Sequence, residues 1–442
     1  MTEESTTEPE ESPSIGRRTL LGAVAGVGAA SLAGCSAVER EDDGGTTGMD
    51  DERVRELAVR FAPALYFDVH EPWFPTDPRP YATDRDGETV VDGFDAMNGY
   101  HERIEGTAGD PAQPPAPPNP TVFYHGVTYE ESSLGVVQFW LYSAFDQFTA
   151  NFHWHDWEVL HAFVDLETDE PQLFVASSHS RRVPNNEFLD PEPDVVPRVL
   201  PELGSHSSTL SVNDVADHFQ RVSTDGLLAD ITNTAIDGIE DLTDVPLAYG
   251  LPRDEGARLP FVVPEFEGEP IYDHDRLPAV DRASLVDDAL TVRSLAEVRS
   301  PPTDLPLRET GITFEHVDRV ENGDGAAGDD TVAYDLVDSA ELEGIDAFVG
   351  PQLSFEFAVP AVAEDAVAGH LTTTGVPWEQ PRYDNPAADI TAPNHRGELA
   401  DRYDAIGAPA PVNTIVARVT EATTSDDAPE NEGLTTVDAG VE

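Results

Sequence analysis

The densest group of side chains able to bind a metal ion lies between residues 146 and 158. Asp146 is followed by the run Asn-Phe-His-Trp-His-Asp-Trp-Glu at residues 151–158. Three carboxylates and one imidazole, those of Asp146, His153, Asp156 and Glu158, form an oxygen-rich donor set. Such a set favours a hard divalent cation, Mg²⁺, Ca²⁺ or Mn²⁺, over Zn²⁺. We therefore predict a divalent-cation site at these four residues.

The spacing of these residues constrains how they can meet. In an extended segment, Asp156 and Glu158 project from one face about 6.6–6.8 Å apart, while Trp157 faces the other way. One face of the strand would then coordinate the cation while the other packs in the core. His153 is three residues before Asp156, so in a regular strand its side chain would project from the opposite face. It joins the face of Asp156 only if the chain bends before the strand.

An alternative interpretation is an acidic turn with structural tryptophans, because any one carboxylate is most simply a surface group in a chain with 86 Asp and Glu. The chain has only 13 His and 5 Trp, however. Two His, an Asp and a Glu within six residues and interleaved with Trp are therefore a rare combination, and we favour the metal site.

The elements around this motif predict a sheet. Short segments rich in aromatic and β-branched residues are bounded by Gly, Pro, Asp or Asn, and they indicate antiparallel strands at 122–129, 136–142, 159–164 and 173–176. A helix is expected to begin near Asp51 and to end before Pro63. Further helices are expected at 212–222 and 280–290, and further strands at 353–359 and 414–419.

These elements indicate an α+β fold class, with an antiparallel β-sandwich core and helical and long-loop decorations. We expect a single domain over 51–420, in which 205–350 is a large decoration. Residues 421–442 are acidic and featureless, and we expect a disordered tail.

At residues 153–158, the sequence His-Trp-His-Asp-Trp-Glu resembles the Gly-His-Arg-His-Asp-Trp-Glu heptapeptide of the necrosis- and ethylene-inducing peptide-like proteins. It follows QFWLYSAFD and precedes VLHAFVDLE. It is also similar to the His-Glu-Gly-Asp-Trp-Glu segment of the vacuolar-protein-sorting-62-related family. Residues 61–77, 177–180 and 204–208 resemble segments of that second family. The likeness covers roughly residues 57–210 in patches.

The resemblance implies a β-sandwich and a divalent cation held by Asp146, His153, Asp156 and Glu158. It would also bring His179 and His206 near the motif, beside His155 and Trp157. The chain departs from the heptapeptide at two positions, where Phe152 replaces Gly and Trp154 replaces Arg. The resembled toxins bind plant sphingolipid head groups and damage membranes.

The N-terminal residues predict where the protein is targeted. Arg17 and Arg18 precede an apolar run of small residues that ends in Leu-Ala-Gly-Cys at Cys35. The pair resembles a twin-arginine export signal, and the tetrapeptide resembles a lipobox. We expect a signal peptide at 1–34, a lipidated Cys35 within a flexible acidic tether at 35–50, and attachment to the outer face of the cell membrane. The partners would be the twin-arginine translocation machinery and the membrane, which the lipid enters.

The composition excludes several functions. The 86 acidic and 25 basic residues give a net charge of −61, which excludes a sequence-independent nucleic-acid binder. All basic residues are Arg, so a P-loop lysine and a lysine Schiff base are excluded. Cys35 is the sole cysteine, which excludes disulfides and a Cys-ligated structural zinc. The acidic, lysine-free composition resembles that of halophilic archaea, because molar salt screens such a surface with a Debye length of roughly 3 Å.

Three functions fit these features. The first is a surface lipoprotein whose cation site binds a polar ligand, such as a glycan or a lipid head group, beside exposed tryptophans. The second is a hydrolase in which the cation activates water and His155 or His179 shuttles protons. The third is a membrane-perturbing protein like the resembled toxins, which requires exposed apolar loops near the site.

Overall fold

The computed structural model describes most of the predicted domain. The described residues are 43–68, 71–107, 117–148, 151–176, 185–204, 206, 208–211, 247–249, 260–262, 265–266, 269–285, 291–292, 310–322, 331–351, 353, 375–379, 383–409, 420–424 and 434–438. Several predicted features lie outside them: Arg17, Arg18, Cys35, His179, the helix at 212–222, the strand at 414–419, and the strand at 353–359 apart from its first residue.

Strands dominate the described residues. They are β1 Thr46–Gly48, β2 Ala64–Asp68, β3 Ala82–Arg85, β4 Glu88–Asp92, β5 Thr121–Tyr129, β6 Leu134–Phe148, β7 Asn151–Asp165, β8 Glu170–Ala176, β9 Asn186–Leu189, β10 Arg198–Pro201, β11 Ser208–Ser211, β12 Leu247–Tyr249, β13 Pro260–Val262, β14 Glu265–Phe266, β15 Glu269–Pro270, β16 Thr291–Val292, β17 Thr310–His316, β18 Thr331–Asp338, β19 Ala347–Val349, β20 Thr420–Thr424 and β21 Leu434–Asp438.

The helices are fewer and mostly short. They are α1 Asp51–Phe61, α2 Gly93–Thr107, α3 Arg282–Leu285, α4 Val317–Asn322 and α5 Pro393–Arg402. Single 3₁₀ turns occupy Arg79–Tyr81, Ile271–Asp273, Ser339–Leu342, Pro377–Glu379 and Pro386–Asp389. Among the described residues, no helix is both long and apolar enough to span a bilayer.

One large sheet organises the fold. Its strand order is β11-β10-β2-β17-β18-β5-β6-β7-β8-β9, and β1 pairs with β5. The two outer strands approach each other, because the Leu210 amide of β11 donates to Asn186 Oδ1 of β9 at 2.9 Å. The sheet is therefore nearly closed on itself. The described residues confirm a mixed fold made mostly of strands, but they do not confirm a sandwich of two packed sheets.

The predicted strands around the motif are confirmed and are longer than expected. The run from β5 to β8 is antiparallel, and β6 and β7 span 15 residues each. Both faces of this hairpin are covered, since Tyr142 and Trp157 lie in one apolar cluster and Leu141 and Leu160 in another. Strands buried on both faces need apolar side chains at successive positions, which explains the aromatic-rich sequence.

The helix predicted near Asp51 is confirmed over Asp51–Phe61. The Asp50 side chain caps it by accepting the amides of Glu52 and Arg53 at 3.1 and 3.3 Å. Its Val54, Leu57, Ala58 and Phe61 side chains are buried in the cluster that also holds Leu141. The helix therefore closes one face of the sheet. Of the helix expected at 280–290, the described part is α3.

Three expected boundaries need correction. The stretch 205–350 is not all decoration, because β17 and β18 stand in the sheet between β2 and β5 and pair parallel to each other. Residues 43–50 are packed rather than a free tether, since β1 pairs with β5. The tail contains the antiparallel pair β20 and β21, whose Thr-rich sequence has a high strand propensity.

Candidate metal centre

The end of the β6–β7 hairpin at which Phe148 pairs with Asn151 brings three predicted ligands together. Asp146 lies opposite His153, and Ser143 lies opposite Asp156. One donor atom from each of Asp146, His153 and Asp156 lies within 4.8 Å of the others. His153 Nδ1 is 3.4 Å from Asp146 Oδ2, and its Nε2 is 3.6 Å from Asp156 Oδ1. We call these three residues the hairpin triad.

The backbone at His155 allows His153 to join Asp156. His155 has a φ of 60°, in the left-handed region that non-glycine residues rarely adopt. The normal alternation of side chains breaks there, because Trp154 and Trp157 lie in the same apolar cluster although they are three residues apart. His153 is thereby turned to the face that carries Asp156. This is the bend that strand alternation required.

His155 itself is a buried structural residue. Its Nε2–H donates to the Val349 carbonyl at 2.9 Å, and Nδ1 accepts from the Tyr142 hydroxyl at 2.9 Å. Burial lowers the pKa of His155 to about 4. With both nitrogens bonded to protein groups, His155 cannot shuttle protons as the hydrolase hypothesis requires. The role given to it by sequence reasoning is therefore wrong.

The donor set of the triad fits a divalent cation. A cation that binds oxygen at about 2.4 Å holds opposite ligands about 4.8 Å apart, and the triad atoms lie within that span. Asp146 and Asp156 are 1% and 3% exposed. Buried carboxylates are costly unless a cation or a proton compensates them. The triad therefore supplies both the spacing and the charge that would hold such an ion.

The structure places the other predicted residues differently. Glu158 is 2% exposed, yet its oxygens are not among the donor atoms within 4.8 Å of one another. Trp154 and Trp157 are 2% and 7% exposed and pack in the core. The expectation of exposed tryptophans at the site is therefore wrong. A Trp side chain on the packed face is large enough to fill the space under the sheet.

A buried histidine and a glutamate lie behind the triad. His206 Nδ1 is 2.6 Å from Asp156 Oδ2, and its Nε2 is 3.2 Å from Glu71 Oε1. Both partners are carboxylates, so both ring nitrogens donate and the imidazole is positively charged. Glu71 is fixed in turn by the amides of Trp73 at 2.7 Å and Gly204 at 2.8 Å. This arrangement holds Asp156 with its Oδ1 directed toward His153.

The charge of His206 follows from its neighbours. Burial by itself would lower its pKa, but the charge of Glu71 and the hydrogen bonds to Asp156 and Glu71 outweigh burial and hold the pKa well above the usual histidine value. His206 is 3% exposed and Glu71 5%. Sequence reasoning placed His206 near the site but did not select Glu71. The signal was its position in the segment 61–77, which resembled the second family.

Trp154 anchors the hairpin end beneath the triad. Its Nε1–H donates to the Pro351 carbonyl at 2.8 Å, and its ring packs on Phe94 at 5.0 Å between centroids. A Cβ atom added at Gly93 or Gly350 would lie 2.3 or 2.4 Å from the indole. Glycine is therefore required on both sides of the ring. This packing fixes the backbone from which His153 and Asp156 project.

Comparisons with known proteins give only distant structural neighbours. No protein family and no curated protein matches the chain by sequence. Among solved structures, "NLPPya in complex with mannosamine" aligns with 41% of this chain and 78% of its own, at 16% identity and a TM-score of 0.24. "Toxin fold for microbial attack and plant defense" aligns over 47% and 89%, at 16% identity and a TM-score of 0.24.

A further neighbour is described as "Crystal structure of Necrosis and Ethylene inducing Protein 2 from the causal agent of cocoa's Witches Broom disease". It aligns with 46% of this chain and 86% of its own, at 16% identity and a TM-score of 0.23. These neighbours are necrosis and ethylene-inducing proteins of the toxin fold. The scores are too low to support an argument about function, so the function must be argued from the triad.

Proposed function

We propose that this protein is a surface-anchored lipoprotein in which a divalent cation, bound by the hairpin triad, binds a polar ligand such as a glycan or a lipid head group. The observation that supports this proposal is the convergence of Asp146, His153 and Asp156 within 4.8 Å. Mg²⁺, Ca²⁺ or Mn²⁺ would supply open coordination positions for ligand oxygens. Glu158 is proposed as a further ligand of the same ion.

Coordination number supports a binding role. Hard cations take about six to eight ligands, whereas the triad supplies one donor atom from each of three residues. The remaining positions are suited to water or to hydroxyl, phosphate or carboxylate oxygens of a ligand. His153 is the most exposed member, with 12% of its side chain accessible against 2% and 3% for the two aspartates. A ligand would therefore approach past His153.

The other two hypotheses gain no support from the described residues. The hydrolase hypothesis loses His155 as a proton shuttle, since both of its nitrogens are bonded, and His179 lies outside the described part. A membrane-perturbing function needs exposed apolar side chains. Over the described ranges, the large apolar side chains that are exposed comprise Phe188 alone, at 38%.

Calorimetry tests the metal site directly. Ca²⁺, Mg²⁺ and Mn²⁺ are titrated, in matched high salt, into the wild-type protein and into a double variant with Asp156→Asn and Glu158→Gln. We expect binding heat in the wild type and its loss in the variant. A double variant with Asp86→Asn and Glu88→Gln, at two exposed positions, is the charge-matched control and should bind as the wild type does. Equal heats in the wild type and the double variant would refute the proposal.

A second experiment tests the ligand. Glycans on an array and phospholipid vesicles of several head groups are offered to the protein with the cation and then with a chelator. Binding that disappears with the chelator and in Asp146→Asn would support ligand capture through the ion. Ligand binding that persists under both conditions would place the ligand elsewhere. Turnover of phosphoester, ester or glycoside substrates would instead favour the hydrolase.

A further inference from the structure

The first residues that the structure describes, from Asp43, lie at the turn between β5 and β6, which we call the entry turn. The Gly45 carbonyl accepts the Glu130 amide at 2.9 Å, and the Gly44 amide donates to the Ala405 carbonyl at 2.8 Å. β1 then continues along β5, with Thr46 opposite Tyr129. The point of entry is therefore tied by backbone hydrogen bonds to one end of the large sheet.

A buried ion pair reinforces this entry. The Asp43 carboxylate bonds the guanidinium of Arg396 in α5 and also accepts the Gly407 amide at 2.8 Å. Both side chains of the pair are 2% exposed. Removing one partner of a buried pair leaves an uncompensated charge, which is strongly unfavourable. Residue 43 is thus a fixed point of the domain.

The hairpin triad lies at the other end of the same strands. β6 begins at Leu134, beside the entry turn, and reaches the triad at Asp146, a separation of 146 − 134 = 12 residues. At a rise of 3.3–3.4 Å per residue, the entry turn and the triad are about 40 Å apart. Leu134 also lies opposite Asp165 of β7, and the antiparallel register continues from there to the pair Asp146 and His153. The strands between them form one continuous ladder.

The distance from Cys35 to Asp43 is 43 − 35 = 8 residues, which span at most about 28 Å. This reach is shorter than the 40 Å along the strands. We propose that the end of the sheet at the β5–β6 turn faces the membrane of the cell that carries the protein, and that the triad points outward. The proposal rests on lipidation of Cys35, which is part of the proposed function, and it does not depend on metal binding.

This orientation restricts the partner. With residue 43 held within about 28 Å of the bilayer, the triad cannot be turned end-on toward that same bilayer. The membrane-facing end carries the exposed carboxylates of Glu130, Glu131 and Glu167, so the tether and not adsorption to anionic lipid would hold it there. The ligand of the triad would therefore come from the medium or from a neighbouring surface.

Fluorescence resonance energy transfer from a donor dye, attached at one of two positions in the protein, tests the orientation. Glu167→Cys places a thiol in the turn after β7, whose Leu166 amide bonds Ser133 at the entry end. Asp281→Cys places one just before α3, whose Leu285 carbonyl accepts Gln147 Nε2 at 2.7 Å beside the triad. Each change replaces one exposed carboxylate, so the two variants are matched in charge.

The full-length lipidated protein is reconstituted in phosphatidylcholine vesicles that carry a head-group acceptor dye. We expect severalfold stronger transfer from position 167 than from position 281. Equal transfer, or stronger transfer from position 281, would overturn the orientation. Failure of the protein to float with the vesicles would overturn the anchor on which it rests. Because the measurement uses no metal, these results are independent of the calorimetry.

A variant with a longer tether tests whether the length of the tether sets the orientation. Insertion of a flexible Gly/Ser linker of about 20 residues after residue 38 extends the reach of the chain beyond the length of the strands. We expect the difference between the two positions to shrink in this variant. An unchanged difference would show that surface adsorption sets the orientation, and it would refute the argument from tether length.

Discussion

Asp146→Asn should change the stability of the protein in opposite directions without and with metal. The facing oxygens of Asp146 and Asp156 lie within 4.8 Å. Two like charges at that distance repel by about 3.5 kcal/mol at an effective dielectric constant of about 20. The variant removes this repulsion, so the metal-free protein should gain up to about 3 kcal/mol in its free energy of unfolding.

With metal present, the order should reverse. A ligand at 100 times its Kd stabilises the folded state by about 2.7 kcal/mol. If the variant binds the ion about 100-fold more weakly, the same concentration yields only about 0.4 kcal/mol. The wild type should therefore respond strongly to Mn²⁺ or Ca²⁺, and Asp146→Asn should respond weakly.

Chemical unfolding in matched salt measures both effects. The protein is unfolded at one fixed pH near neutrality, first with a chelator and then with excess cation. Asp86→Asn removes an equal charge from an exposed turn and should follow the wild type in both conditions. The reasoning would be refuted if Asp146→Asn were less stable than the wild type with chelator and gained as much as the wild type from the cation.

Three further predictions concern His206, Gly93 and His101. His206→Gln removes the imidazolium that positions Asp156. It should weaken metal binding about 10–100-fold, measured by calorimetry, and leave the circular dichroism spectrum unchanged. Undiminished affinity for the metal would argue against a positioning role. Gly93→Ala places a Cβ against the Trp154 ring and should cost about 1–3 kcal/mol in chemical unfolding, whereas Gly344→Ala, whose Cβ would meet no atom within 4 Å, should change stability by under about 0.5 kcal/mol. Burial lowers the pKa of His101 to about 4, so between about pH 6.5 and pH 4 the unfolded chain binds a proton that the folded chain does not. The free energy of unfolding should therefore fall by up to about 3 kcal/mol over that range. His101→Phe should show a shallower loss, and a pH profile identical to that of the wild type would contradict this.

The parts of the fold that could be predicted are local in sequence. The strands from β5 to β8 follow one another along the chain, so alternation and turn residues were enough to find them. The insertion of β17 and β18 beside β5 could not be predicted, because it pairs segments about 200 residues apart and no periodic pattern encodes which strands meet. The near closure of the sheet depends on that insertion.

In the candidate site, too, the features that are local in sequence could be predicted and the long-range ones could not. Asp146, His153 and Asp156 are close in sequence, and their residue types indicated a hard cation. The left-handed backbone at His155 was not predictable, because the groups that bond His155, the Tyr142 hydroxyl and the Val349 carbonyl, are brought to it only by the fold. Glu71 was missed for a related reason, since it reaches the site only through a partner, His206, that is 135 residues away.

The hairpin placement of the triad has a consequence for folding. Asp146 and His153 are opposed residues of one hairpin and only seven positions apart, so the entropy lost in bringing them together is small. We expect these ligands to assemble as soon as β6 and β7 pair, whereas Glu71 and His206 arrive only when distant strands join the sheet. A cation bound at the early stage would favour the correct hairpin register, and refolding should then be faster with Mn²⁺ than with a chelator.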